Sequence, residues 1–404
     1  MKILHISKFY APIVGGLESV VRELVDGMSD AGHQTDVLCA NTTSRTDISK
    51  SQRGHTITRS GSLGKLMSTS ISPAMLMHTH RLARKYDVIH VQLPNPMANL
   101  ALTIARPTSK IVVHWQSDVV KQRIALKLYA PLQRMLLKRA DAIIATSSSY
   151  AESSPWLREF ADKVTIIPIG IQDPYKGITT SSHKIQAIRT QYGERRIIFA
   201  LGRMTYYKGF DVLIDAAKYL PSDAVILIGG AGELLETYRK RVALNGLHDK
   251  VHFLGRVDKE LLPAFFLASD IFCLPSTVRS EAFGVVMLEA MAAAKPIVAC
   301  DIPGSGVPWV NQHGETGLNS PTGDPRALAT NIQRILDNPE LAERFGVAAR
   351  KRFESEFTGG DMVNKTLNLY HKLHRYPALS ITDYESQFRF GLATSPTYLQ
   401  LNPW

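Results

Sequence analysis

Ile271-Phe-Cys-Leu-Pro-Ser276, followed by Ser280-Glu-Ala-Phe-Gly-Val-Val-Met-Leu-Glu-Ala-Met-Ala292, is the stretch from which the rest of this chain can be read. The first run is short and apolar and is closed by Pro275, which predicts a buried strand. The run after Gly284 is apolar at helical length, which predicts a helix. Glu281 then falls in a strand-to-helix loop, and Glu289 lies about two turns further along. Backbone N–H groups at Phe283, Gly284 and Val285 would point out of the helix start, where unpaired donors and the helix dipole attract anions. One place would thus offer a phosphate cradle and two carboxylates able to bind hydroxyls, a combination that suits a nucleotide sugar. Taken singly, each carboxylate also reads as a capping or solvated residue.

Outward from this stretch, strand-like runs alternate with helical ones. The first half offers strands near Lys2–Ser7, Thr35–Ala40, Val88–Gln92, Ile111–His114, Ala142–Thr146 and Val164–Pro168. The second half offers them near Ile197–Leu201, Ala224–Gly229, Val251–Leu254, Ile271–Pro275, Pro296–Ala299 and Gly317–Asn319. Such alternation implies parallel sheets covered by helices, and two blocks of it imply two Rossmann-like α/β domains. Turn formers cluster at Pro168-Ile-Gly-Ile-Gln-Asp-Pro174, which places the boundary there. The expected division is 1–168, 169–360, a helix over 361–374, and a tail over 375–404 holding Tyr376, Tyr384, Phe388, Phe390, Tyr398 and Trp404. So aromatic a tail is expected to pack on the surface or to bind a partner.

A second motif follows the Ile197 strand: Gly202-Arg-Met-Thr-Tyr-Tyr-Lys-Gly209. Arg203 can fork two phosphate oxygens and Lys208 can act as a point charge, or the two can be an ordinary basic pair on a loop. Glu-x7-Glu with Phe283-Gly284, and Gly-Arg-x4-Lys-Gly, together resemble the motifs of the retaining glycosyltransferases of family 4. The resemblance covers about residues 1–374 and implies the GT-B fold, two Rossmann-like domains with the active site between them. It further implies that Glu289 holds the ribose, that Glu281 contacts the donor sugar, and that Phe283, Gly284 and Val285 give backbone donors to the diphosphate. Arg203 and Lys208 would stabilise the departing phosphate.

The glycine-rich turn Ile226-Leu-Ile-Gly-Gly-Ala-Gly232 resembles a conformational element of the donor domain, although dinucleotide enzymes use similar turns. By the same resemblance, the backbone at Arg256 and Val257 meets the nucleobase; otherwise Leu254-Gly-Arg-Val257 only ends a strand. Gly15 and Gly16, in Phe9-Tyr-Ala-Pro-Ile-Val-Gly-Gly-Leu-Glu18, look like the family's first-strand glycine loop, expected to let backbone approach the diphosphate. His114 ends a strand where the family places a histidine near the sugar; its implied role is to hydrogen-bond a sugar hydroxyl, not to act as a general base. The resemblance also implies same-face substitution through an oxocarbenium-like state, with the leaving phosphate taking the acceptor proton. The chain has no Asp-x-Asp motif, so no metal and no other cofactor is expected beyond the nucleotide-sugar co-substrate.

Composition bounds the remaining choices. The chain has 404 residues, 45% of them hydrophobic and 21% charged, and a net charge of +11. Residues 1–168 hold 21 basic and 12 acidic side chains, +9, and the remainder 26 and 24, +2. A basic first half suggests an anionic partner; with no nucleic-acid motif, a membrane surface is the preferred one. Lys121–Arg139 mixes basic and apolar residues at helical spacing and could lie on a bilayer, or be a core helix with a solvated face. Leu66–Met77 adds further apolar residues. A polyprenyl-diphosphate-linked acceptor fits both features. No apolar run approaches the ~20 residues of a membrane span, and the amino terminus reads as a strand, so the expected place is cytoplasmic, at the inner face of the membrane. Cys39, Cys273 and Cys300 have no metal-ligand spacing and read as small core residues.

The stretch from His114 to Ser154, with Ala145-Thr-Ser-Ser-Ser-Tyr-Ala-Glu-Ser-Ser154, resembles bacterial mannosyl- and rhamnosyltransferases of surface polysaccharide assembly. It points to GDP-mannose, while UDP-hexoses would use the same framework. Two readings from other classes stand beside this one. An NAD-dependent oxidoreductase would need a Gly-x-Gly-x-x-Gly turn after the first strand, where Pro12-Ile-Val-Gly-Gly16 stands instead. A catalytically inactive membrane assembly partner would leave Arg203, Lys208, Glu281 and Glu289 without a task.

Overall fold

The computed structural model of the chain describes residues 1–13, 15–66, 69–118, 123–177 and 182–375. Val14, Lys121, the residues 178–181 and the aromatic tail from Tyr376 onward lie outside the described residues.

Among the described residues, sixteen strands form two large sheets and a small ribbon. The first sheet contains β1 (Lys2–Ile6), β2 (Gln34–Ala40), β3 (Asp47–Lys50), β4 (Thr56–Ser60), β7 (Val88–Leu93), β8 (Lys110–Trp115), β9 (Ala142–Ala145) and β10 (Val164–Ile166). Their order is β10-β9-β8-β7-β1-β2-β4-β3. β5 (Lys65–Leu66) and β6 (Thr69–Ser70) make the separate ribbon. The second sheet contains β11 (Arg196–Leu201), β12 (Ala224–Gly229), β13 (Val251–Gly255), β14 (Ile271–Leu274), β15 (Ile297–Asp301) and β16 (Gly317–Pro321), in the order β13-β12-β11-β14-β15-β16. That is the doubly wound Rossmann order, and its direction reverses between β11 and β14. In the first sheet the reversal falls between β1 and β7.

The central strands are continuous apolar runs because helices cover both faces. In β11, Ile197 and Phe199 join the core on one side of the sheet, while Ile198 and Ala200 join the core on the other. The two large sheets are parallel as expected, with one strand added that was not: β3 runs antiparallel to β4 at the outer edge of the first sheet. This hairpin escapes pattern reading because it is polar, and three of the four β3 residues are exposed. A charged edge of this kind resists pairing with another sheet.

The chain passes between the two domains twice, and the two passages are bonded together. Ile171 N donates to Phe357 O at 3.0 Å, and Gly359 N donates to Ile171 O at 2.8 Å. The helix Gly359–Arg375 then lies on the helix Gly16–Asp30 of the first domain. It buries Val363, Leu367 and Tyr370, which are spaced along one helical face. Among the described residues no helix is long and apolar enough to cross a membrane.

Candidate active site

At the reversal of the second sheet, β11 and β14 release two loops that meet. Lys208, on the loop after β11, donates from Nζ to Glu281 Oε2 at 2.6 Å. Ser276, just past β14, donates from Oγ to the same oxygen at 2.8 Å. Both charged side chains are about nine-tenths shielded from solvent, 11% exposed for Lys208 and 10% for Glu281. Burial pulls the Lys208 ammonium down, but the Glu281 carboxylate outweighs it and holds the pKa above its ordinary value. Lys208, expected as a mobile cation, is therefore fixed against the carboxylate expected to face the sugar.

Two glycines make the meeting possible. Gly209 has φ +64°, and a Cβ on it would collide with the carbonyl oxygen of Pro275. Gly230 has φ +125°, and a Cβ on it would strike the carbonyl oxygen of Gly202. The glycine-rich turn is thus a seat for the Gly202–Arg203 loop. Arg203 itself is exposed, and close enough to Lys208 that the two like charges repel. Arg256, exposed, and Val257 follow β13 beside that turn, with Val257 packed near Gly229.

The helix expected after Gly284 runs Val286–Ala292. Phe283 is buried, its ring 6.3 Å from Trp309 and 6.0 Å from Phe357. The backbone N–H groups of Phe283, Gly284 and Val285 donate to no carbonyl among the described residues. Glu289 lies one turn into the helix. Burial pushes its carboxyl up to about 7, with Lys259 pulling the other way. Its charge, after burial, is the next cause raising the Tyr175 phenol, whose buried hydroxyl has no partner among the described residues. Tyr175 belongs to this site and was not legible in the sequence, being a lone aromatic in a linker.

A pH prediction follows from Glu289. Between its ordinary value of 4.5 and about 7, the folded chain keeps a proton that the unfolded chain has lost. The stability contributed by the neutral carboxyl is full at low pH and fades as pH rises through 7. Moving from pH 7 to pH 5 should therefore stabilise the natural chain by about 2 kcal/mol more than a Glu289→Gln variant. Urea unfolding of both proteins at the two pH values measures this, and parallel pH responses would contradict it.

On the first domain, His114 is the next-to-last residue of β8 and is 1% exposed. Burial lowers its pKa to about 3, so the ring is neutral. Its Nδ1 is 3.2 Å from His90 Nε2, while its own Nε2 has no partner among the described residues. A repeated signal was there to be read: His5-Ile-Ser7, His90-Val-Gln92 and His114-Trp-Gln116 end three adjacent strands with the same polar alternation. Gly15 precedes the helix Gly16–Asp30 with extended backbone, φ −172°. What a side chain there would meet is the Glu18 carboxylate, whereas Gly16 faces open space.

An ion pair joins the two halves. Arg279, two residues before Glu281, bonds Asp118, four residues after His114, at 2.7 Å. The Arg279 guanidinium also lies 4.4 Å from the centre of the Tyr150 ring and donates to Gly304 O at 2.8 Å. Trp115 Nε1 and Ser154 Oγ each donate to Asp118 Oδ1 at 2.9 Å. The serine-rich stretch, read above as a sign of donor class, is an interdomain contact: Ser149 Oγ donates to Ser305 O at 3.0 Å and Ser153 Oγ to Gly304 O at 2.8 Å. Ser305 Oγ in turn donates to the Glu281 carbonyl. Among the described residues no group of three His, Cys, Asp or Glu side chains is arranged to hold a metal ion.

Two Rossmann-like domains with polar groups converging between them make the GT-B arrangement. Solved structures agree on the fold. A sucrose-phosphate synthase from Thermosynechococcus elongatus matches with TM-score 0.77 and 22% identity, covering 93% of this chain and 100% of its own. Anabaena Alr3699/HepE in complex with UDP matches with TM-score 0.74 and 20% identity, covering 92% and 100%. Family models described as Glycosyltransferase Family 4 and Glycosyl transferases group 1 match residues 14–173 and 181–352. The O-antigen chain mannosyltransferase C of Escherichia coli is 32% identical over 92% of this chain and 99% of its own length. The D-rhamnosyltransferase WbpZ of Pseudomonas aeruginosa is 34% identical over 89% and 92%. The chain belongs to the family 4 glycosyltransferases. This membership overturns the reading as an NAD-dependent oxidoreductase.

Proposed function

We propose that this glycosyltransferase moves mannose from GDP-mannose onto a saccharide carried on a polyprenyl diphosphate, in the assembly of O-antigen or a related lipopolysaccharide or exopolysaccharide. The observation that carries the reading is the buried Lys208–Glu281 pair, held at the reversal of the second sheet and facing the His114 side of the first. Arg203 and Lys208 stand where negative charge grows on the departing diphosphate, and fixed cations there favour the transition state over the ground state. They supply the charge that a metal would otherwise bring. Glu281 and His114 address the sugar, Glu289 the ribose, and the free N–H groups at Phe283, Gly284 and Val285 the diphosphate. Gly15 and Gly16 complete the cradle from the first domain, and Arg256 and Val257 border the base. Departure and attack take place on one face of the sugar, retaining its configuration, and the leaving phosphate takes the acceptor proton.

Support for mannose comes from the two relatives above, named for transfer of mannose and of D-rhamnose. A lipid-linked acceptor at an anionic membrane, approached from the cytoplasmic side, suits the +9 balance of residues 1–168. It also suits the exposed Met135 beside Arg106 and Arg139.

The test is a thermal-shift panel of GDP, UDP, ADP, dTDP and NAD, followed by turnover of GDP-mannose with a polyprenyl-linked acceptor on anionic vesicles. GDP at a hundred times its Kd should stabilise the fold by about 2.7 kcal/mol, with little response to the others. A selective UDP response would replace mannose by a UDP-hexose. Nucleotide binding without transfer from any donor would mark an inactive assembly partner.

A further inference from the structure

His5, His90 and His114 lie on the neighbouring strands β1, β7 and β8, all closed to solvent. His5 stacks on His90 with ring centres 5.0 Å apart, and His90 meets His114 edge-on at 5.3 Å. A fourth member arrives from the helix Gly359–Arg375: Tyr370, fully buried, sets its hydroxyl against His90 Nδ1.

The protons in this chain of contacts can be assigned one after another. His90 is the only hydrogen-bond partner of the Tyr370 hydroxyl among the described residues. If that hydroxyl accepted from His90, its own hydrogen would be a buried donor with nowhere to go. Tyr370 therefore donates to His90 Nδ1. A neutral imidazole has one N–H, so His90 carries its proton on Nε2. That nitrogen is 3.2 Å from His114 Nδ1 and donates to it. Gln92 Nε2 lies 3.2 Å from His90 Nε2, where with His90 protonated two donors meet and make no bond, and 3.4 Å from His114 Nδ1, to which it adds a second donor. Gln92 is itself held by the Gln116 amide, which donates to its Oε1. His114 accepts at Nδ1, so its proton resides on Nε2, the ring atom with no partner among the described residues.

We propose that Tyr370 and His90 are positioning residues that hold His114 as its Nε2–H tautomer, ready to donate to a hydroxyl of the transferred sugar. The contact with sugar rests on the function proposed above; the tautomer does not. Because Tyr370 belongs to the helix that follows the second passage between domains, the tautomer is set only while that helix is docked.

Two-bond 1H–15N correlation spectra of the full chain with 15N-labelled histidine test this, a His114→Gln variant assigning the signal. The expected result is an Nε2–H His114 in the natural chain, turning to Nδ1–H or a mixture in Tyr370→Phe. In the same variant kcat should fall at least ~10-fold, as on loss of an oriented donor, with the donor KM nearly unchanged. An Nδ1–H His114 in the natural chain overturns the proposal without any variant, so it is testable even if Tyr370→Phe does not fold. An unchanged His114 signal in folded Tyr370→Phe overturns it too. A changed tautomer with unchanged kcat upholds the relay and removes His114 from the reacting sugar, which counts against the proposed function instead.

Discussion

Lys208→Ala is expected to cost the fold about 3–5 kcal/mol and to lower turnover by roughly 10²–10³-fold. The stability loss comes from the partner left behind. Glu281 would keep its buried carboxylate, with Ser276 as its remaining side-chain donor. On the proposed function, the activity loss comes from removing a fixed cation beside the leaving phosphate. The two effects separate in Lys208→Met/Glu281→Gln, where the orphan charge is gone. Unfolding of that double variant should recover more than half of the lost stability, while transfer stays abolished. Glu281→Gln alone should fold and lose transfer. Normal turnover in either Lys208→Ala or Glu281→Gln would remove this pair from the chemistry.

Arg279→Ala is the second large effect, expected mainly in rate. The guanidinium joins the loop of Glu281 to the segment after His114, and nothing else among the described residues spans those two segments with charge. Its loss leaves Asp118 with the Trp115 and Ser154 donors, so stability should fall by only about 1–3 kcal/mol. Misplacement of reacting groups by about 1 Å can cost 10²-fold, and kcat/KM should fall on that scale. Asp118→Ala should act alike, and the double variant should be no worse than either single one. Fully additive losses would show that the two residues act separately.

These two pairs also mark what a sequence can and cannot disclose. The α/β alternation, Glu281, Glu289, Arg203 and Lys208 were readable because each rests on local pattern: apolar period, a glycine step, a charge at fixed spacing. That Lys208 and Glu281 touch was not readable, because 73 residues separate them and only the strand order brings β11 beside β14. Asp118–Arg279 and His90–Tyr370 are longer still, the latter spanning 280 residues. The hairpin of β3 and β4 was hidden by polarity, since an exposed edge strand carries no apolar alternation. The serine-rich stretch carried the resemblance to mannosyl- and rhamnosyltransferases, but its place between the domains was not readable, because Ser149 and Ser153 meet Ser305 and Gly304 more than 150 residues away.

The docked helix Gly359–Arg375 has a further consequence, for biosynthesis. The eight strands of the first sheet have all been synthesised once Ile166 is made, yet the surface formed by Val20, Leu24 and Gly27 lacks its cover until Val363, Leu367 and Tyr370 follow. At ordinary translation speeds of about 5–20 residues per second, some 200 intervening residues take roughly 10–40 s. Throughout that interval the nascent first domain carries an apolar strip open to chaperones, and the last helix of the described residues is the one that closes the first domain to be started.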